Sequence, residues 1–316
     1  MRPTLDDVYV ARERLAGISV RTPLVPFLGA GGGPDLLLKL ELLQPIGSFK
    51  LRGVFNAVAA LSEAERANGI STNSSGNTAQ ALAWSGRHFG VSARSLMPED
   101  APQAKFDAIE RWGGIPVTVT REHLFRYMSD RLWEDEPFAF IHPWINPDVM
   151  AGAGTIALEL LEDAPNLQSI FVPVGGGGLS SGIGIAVKAL RPDIRVYAVE
   201  PSGCCALHAS FAAGSPQHVT CSTICDGVAV PLVVPEVWDV LKDVIDEVIL
   251  VDDDDVLRTM REIVLRNKVV VEPAGALATA GALSVDASVR GVSACIVTGG
   301  SVDPHLLASL LTSDAA

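Results

Sequence analysis

Along the chain, short runs rich in β-branched and apolar residues alternate with stretches whose apolar positions recur every three to four residues. D-L-L-L-K-L-E (35–41), G-I-S-T-N-S (69–74), I-P-V-T-V-T (115–120), S-I-F-V-P-V (169–174), V-Y-A-V-E (196–200) and S-A-C-I-V-T (293–298) read as strands. V-F-N-A-V-A-A-L (54–61) and A-Q-A-L-A-W-S-G-R-H-F-G (79–90) read as helices. Strand and helix in turn are the signature of βαβ units on a mostly parallel sheet, so the predicted fold class is α/β. T-L-D-D-V-Y-V-A-R-E-R-L (4–15) reads as a capped helix. The acidic tract Asp252 to Asp255 precedes another helical pattern, where it serves as N-cap and complement to the helix dipole rather than as a metal site.

Composition narrows the function. The 316 residues exceed one ordinary core and are 48% hydrophobic, with 29 Gly and 20 Pro, which suits buried parallel strands joined by tight turns. A net charge of −13 and the absence of Lys/Arg runs exclude nucleic acid and anionic membrane as partners and favour a small molecule. No apolar run reaches the length of a membrane span, and acids stand where a signal peptide would be apolar, so a cytoplasmic location is expected. The cysteines at 204, 205, 221, 225 and 295 have neither zinc nor Cys-x-x-Cys spacing. All five read as small buried hydrophobes in a reducing compartment.

Two stretches carry candidate chemistry. In S-F-K-L-R-G (48–53), Lys50 stands between Phe49 and Leu51, either as a snorkelling side chain or as a desolvated, nucleophilic amine. In V-P-V-G-G-G-G-L (172–179), a strand runs into four glycines and then a helix, an arrangement that presents backbone N–H groups to a phosphate. Gly175-x-Gly177 followed by Glu200 resembles the start of a dinucleotide fingerprint, but its third position is Ser180. No Lys-Ser or Lys-Thr follows, which excludes a P-loop. A monophosphate remains open, and an aldehyde-bearing phosphate cofactor would need a lysine such as Lys50.

S-F-K-L-R-G, S-S-G-N-T-A-Q (74–80), H-P-W-I-N-P-D-V-M-A-G-A-G-T-I-A-L-E (142–159), the four-glycine loop, E-P-A-G-A (272–276) and V-T-G-G-S-V-D (297–303) occur in an order and spacing that resemble one family over nearly the whole chain. It is that of the pyridoxal-phosphate enzymes of the tryptophan-synthase-β fold, in the serine/threonine dehydratase and serine racemase branch. The resemblance implies a large domain of residues 1–65 and 146–316 and a small mobile domain of 66–145. It implies pyridoxal phosphate as cofactor, a homodimer, and a β-hydroxy amino acid as substrate.

By the same resemblance, Lys50 holds the cofactor aldehyde and moves the Cα proton, and Phe49 packs on the ring. Asn77 meets the ring 3-oxygen, Gly175, Gly176, Gly177, Gly178 and Leu179 hold the phosphate, and Thr298 faces the pyridine nitrogen. Ser74, Ser75, Gly76, Asn77 and Thr78 dock the substrate carboxylate. Ser75 is also where racemases have their second acid/base, which implies racemisation, and Thr78 resembles the cysteine-synthase loop, which implies β-replacement; β-elimination comes first and β-replacement third. Departures are Thr78 for the usual histidine, Thr298 for serine, and Ser301 for asparagine, the last without a role legible from sequence. Glu200 matches one ligand of the family's divalent-ion site, but Ala206 replaces an acid, so no metal is expected. Arg121 reads as a surface arginine or a contact for the substrate carboxylate. No regulatory domain is expected after T-G-G-S-V-D.

Overall fold

The structure, a computed structural model, describes residues 2–312. Its strands are β1 (Leu24–Phe27), β2 (Gly33–Lys39), β3 (Ile70–Asn73), β4 (Ala93–Pro98), β5 (Ile115–Val119), β6 (Ala139–Phe140), β7 (Ser169–Pro173), β8 (Arg195–Pro201), β9 (Glu247–Val251) and β10 (Ser293–Ile296). They form a six-stranded sheet ordered β1-β2-β10-β7-β8-β9 and a four-stranded sheet ordered β5-β4-β3-β6. Among these strands, β1 and β2 pair antiparallel and the other pairs are parallel. Both sheets are flanked by helices, the architecture of the tryptophan-synthase-β fold.

Strands β7, β8 and β10 lie inside the large sheet, and alternation along them sends side chains to two apolar layers. Ile170, Val172, Val196 and Ile296 join one layer, and Phe171, Tyr197, Cys295 and Val297 the other. The two sheets' helices meet where the Lys50–Ala60 helix crosses the Pro147–Asp163 helix. A Cβ at Gly53 would stand 2.6 Å from the Val149 carbonyl oxygen, and one at Gly152 would stand 2.4 Å from the Arg52 carbonyl oxygen. This close crossing requires glycine on both helices.

Beside that crossing lies a buried ion cluster. Arg52 donates through Nε and Nη2 to both oxygens of Glu41 at 2.8 Å each, and through Nη1 to Glu159 at 2.7 Å. Lys39 donates to the other Glu159 oxygen at 2.5 Å and to the Thr22 carbonyl at 2.7 Å. Burial alone would raise the Glu41 carboxyl, but Arg52, Thr22 and Lys39 hold it below the ordinary glutamate value.

All strands and helices read from the pattern occur, and four strands it did not pick out (β1, β4, β6 and β9) complete the sheets. Polar positions in A-R-S-L-M-P and the two-residue length of β6 hid two of these. The Leu5–Arg14 helix carries its capping box between Thr4 and Asp7. Two readings need correction. Asp252 occupies the N-cap of the Asp253–Glu262 helix, yet its side chain makes no cap bond and instead accepts from Ser202 Oγ. The dipole complement stands, with Asp253, Asp254 and Asp255 in the first turn. Cys204 and Cys221 are joined as a disulfide, so the five cysteines are not all unpaired hydrophobes, and cysteine usage no longer argues for a reducing compartment. Spacing could not show this, because the pair is brought together by the return of the loop after β8, where Ser222 N donates to the Gly203 carbonyl.

Removing Arg52 would leave Glu41 buried without its ion-pair partner, held only by the hydrogen bonds from Thr22 and Gln44. Arg52→Ala is expected to lower unfolding stability by about 3 to 5 kcal/mol, read from the denaturant midpoint, whereas a surface pair such as Arg121 with Asp100 should contribute less than about 1 kcal/mol.

Candidate active site

Three loops leave the carboxyl ends of β3, β7 and β10 and converge on one cavity of about 640 Å³, the usual place for ligands in open parallel sheets. The segment Ser48–Lys50 is laid along the end of β10: Ser48 bridges Gly299, and Phe49 N donates to the Thr298 carbonyl at 3.0 Å. Lys50 therefore opens its helix at the cavity wall, with Nζ 4.9 Å from the Phe49 ring centroid. Burial pushes its ammonium down to about 8, against an opposing pull from the Glu272 carboxylate.

The loop after β7 is shaped to exclude side chains. A Cβ on Gly176 would lie 2.2 Å from the Trp144 ring, and one on Gly175 would lie 2.9 Å from Val228 Cα. Gly177 has φ +84°, which favours glycine, and the Gly178–Leu190 helix begins there with no side-chain cap. Its first backbone N–H groups are thus left for an anion, reinforced by the helix dipole.

Beyond β3, Ser74 N is held by the Leu96 carbonyl and Ser74 Oγ accepts from Gly76 N, so the loop turns tightly into the Asn77–Phe89 helix, again without a side-chain cap. Asn77 Nδ2 donates to Glu272 at 3.0 Å, and Ser301 Oγ donates to Asn77 Oδ1 at 2.9 Å. That bond gives Ser301 the role sequence could not. Burial pushes the Glu272 carboxyl up to about 7, although Asn77 opposes this. Thr298 Oγ1 donates to the Ala274 carbonyl at 3.3 Å.

Phe49, Lys50, Ser74, Ser75, Gly76, Asn77, Thr78, Gly175 to Gly178, Leu179 and Thr298 all line this single cavity. Arg121 does not; it is exposed and paired with Asp100 at 3.0 Å. Glu200 is also elsewhere, accepting from Leu207 N and His208 N at 2.8 Å each at the start of the Ala206–Ala213 helix. Burial pushes its carboxyl up to about 7 against those two donors. Among the described residues, no group of three or more His, Cys, Asp or Glu could hold a metal ion, and no helix is long and apolar enough to cross a membrane. Sequence reading missed Glu272, Trp144, Lys105 and Arg111 as cavity residues. Glu272 lay inside the E-P-A-G-A motif and Trp144 inside the H-P-W-I-N-P-D stretch, but nothing local to Lys105 and Arg111 distinguished them from surface side chains.

A partly desolvated lysine, a glycine cradle at a helix start and a polar loop share one cavity and could together hold a phosphate-bearing aldehyde and an amino acid. Comparison with known proteins agrees: the chain belongs to the family described as pyridoxal-phosphate dependent enzyme, whose model matches residues 17–299. It is 38% identical to an L-threo-3-hydroxyaspartate ammonia-lyase of Pseudomonas sp, over 96% of this chain and 97% of that protein. It is 36% identical to a serine racemase of Schizosaccharomyces pombe, over 98% of each. The solved structure of maize serine racemase superposes with a TM-score of 0.89 at 34% identity, covering 98% of this chain and 97% of that one. Pyridoxal phosphate is the cofactor of this family, and the residues present fit it: the four glycines line the cavity with no side chain of their own, and Lys50 lines it with an amine.

In cofactor-free protein, the lowered value of Lys50 predicts neutral, reactive amine above about pH 8 and charged, unreactive ammonium below it. Brief acylation pulses followed by peptide mass spectrometry should show Lys50 labelling rise through about pH 8, ahead of an exposed lysine such as Lys242. Labelling that rises only with the exposed lysine would contradict the desolvation.

Proposed function

We propose that the protein removes water from a β-hydroxy L-amino acid and releases the corresponding 2-oxo acid and ammonia. The observation that carries this reading is the convergence of Lys50, the Gly175–Gly178 cradle and the Ser74–Thr78 loop on one cavity. Lyase and racemase relatives support the general chemistry, and names among them include threonine, serine and 3-hydroxyaspartate.

Gly175 to Gly178 and Leu179 would hold the cofactor phosphate and Lys50 its aldehyde, with Phe49 against its ring, Asn77 near its 3-oxygen and Thr298 near its ring nitrogen; all of them line the one cavity. Bound there, pyridoxal phosphate supplies an electron sink for the bond pair left at Cα when the proton departs, and a neutral hydroxyl partner at the ring nitrogen keeps that sink moderate. The Ser74–Thr78 loop holds the substrate carboxylate with its backbone and hydroxyl donors and so fixes Cα beside Lys50. Lys50, on the cavity wall, would take the Cα proton on Nζ as the neutral amine that its burial favours. The hydroxyl on Cβ leaves as water, and hydrolysis of the resulting enamine consumes one water and yields 2-oxo acid and ammonia. Residues 66–145 act as a small body closing over this chemistry and excluding solvent, with Lys105 from one side meeting Asp226 from the other at 3.0 Å.

Racemisation is a second reading, carried by Ser75, which lines the cavity with Lys50 and whose hydroxyl would return a proton to the opposite face of Cα.

Lys50→Ala is expected to abolish the visible band of the bound cofactor and to lower 2-oxo acid release by at least about 10²- to 10⁴-fold. Ser75→Ala should lower D-isomer formation more than 2-oxo acid release. A coloured protein that forms D-isomer but scarcely any 2-oxo acid would make racemisation the main activity.

A further inference from the structure

One wall of the cavity takes no part in the chemistry above beyond the contact of Lys105 with Asp226. The Gln103–Glu110 helix and its C-cap residue present Ala104, Ala108 and Arg111 to the cavity, spaced four and three residues apart on one helix face, with Lys105 beside them. The two alanines leave room and offer no polar atom. The wall's long polar side chains are therefore both cations. Lys105 meets Asp226 in a half-exposed ion pair, the kind that contributes little and exchanges partners readily. Arg111 has no carboxylate partner among the described residues; its guanidinium only lies 5.4 Å from the ring centroid of neighbouring Trp112.

The other cavity acids do not serve Arg111. Asp303 accepts from His305 N and Leu306 N, Asp226 is engaged by Lys105, and Glu272 by Asn77. Cofactor phosphate and substrate α-carboxylate already have their own donors in the glycine loop and the Ser74–Thr78 loop. For the neutral side chains of serine or threonine, the two cations would be surplus.

We infer that Arg111 and Lys105 receive a second carboxylate carried on Cβ, so that the preferred substrate is a β-hydroxy dicarboxylic amino acid of the 3-hydroxyaspartate type. This rests on the elimination proposed above. Arg111 offers the planar fork that suits a carboxylate, and Lys105 adds a point charge by exchanging Asp226 for the ligand. The same contact would tie the small body to the bound substrate and favour closure only when the second carboxylate is present.

The test compares the holoenzyme with its Arg111→Ala and Arg111→Lys variants. Release of 2-oxo acid is measured from L-threo-3-hydroxyaspartate, L-threonine and L-serine, and binding of succinate, which lacks the amino group and cannot react, is measured by calorimetry. Wild-type protein should favour 3-hydroxyaspartate in kcat/KM. In Arg111→Ala the ratio of kcat/KM for 3-hydroxyaspartate to that for L-serine should fall about 10- to 100-fold, mainly through KM, with partial recovery in Arg111→Lys. Succinate affinity should fall by a similar factor. A wild-type preference for serine or threonine, an equal loss on all three substrates, or succinate binding indifferent to Arg111 would overturn the inference. Failure of all three substrates to give 2-oxo acid, with succinate still bound through Arg111, would overturn the elimination and the substrate assignment together while supporting the dicarboxylate subsite.

Discussion

Arg52 is buried between Glu41 and Glu159, and its ion cluster holds the start of the helix that Lys50 opens. From the other side, Ser48 and Phe49 are tied by backbone bonds to Gly299 and Thr298. A lysine whose ammonium is kept partly from water relaxes towards solvent unless its backbone is fixed, because four rotatable bonds give it reach. Here the backbone is clamped at both ends, and the amine remains where burial lowers its affinity for a proton. A chain of forces thus links an inert ionic cluster to the reactivity expected of Lys50.

The same economy of placement governs the rest of the cavity. Strands β7 and β10 are neighbours in the large sheet and β3 lies inside the small one, and the loops after all three line one cavity. The glycine loop could not carry side chains, because Trp144, Val228 and Val237 already occupy the space a Cβ would need. What remains exposed there is backbone N–H, which binds anions without adding a titrating group. Asn77 joins two loops by pairing with both Glu272 and Ser301, so a change in one loop is felt by the other.

Much of this was legible in the sequence, and for identifiable reasons. Four glycines between strand and helix can be read directly, because steric demands act on neighbouring residues. The S-S-G-N-T loop and the Thr298 strand end were legible for the same reason, as short segments whose chemistry sits within a few residues. Partners distant in sequence were not legible. Ser301 needs Asn77, 224 residues away, to have a meaning, and Glu200 accepts from Leu207 N and His208 N at a helix start that its strand-end position did not announce. The Cys204–Cys221 pair and the cationic wall of Lys105 and Arg111 depend on loop and helix placement that periodicity does not encode.

The central claim is that Lys50 is the amine that binds the cofactor. Borohydride reduction of the protein loaded with pyridoxal phosphate, followed by proteolysis and mass spectrometry, tests it most directly, because reduction fixes the cofactor to whichever amine holds it. The account predicts a phosphopyridoxyl adduct on Lys50 at one equivalent per chain. An adduct on Lys105, Lys188 or another lysine, with Lys50 unmodified, would contradict it.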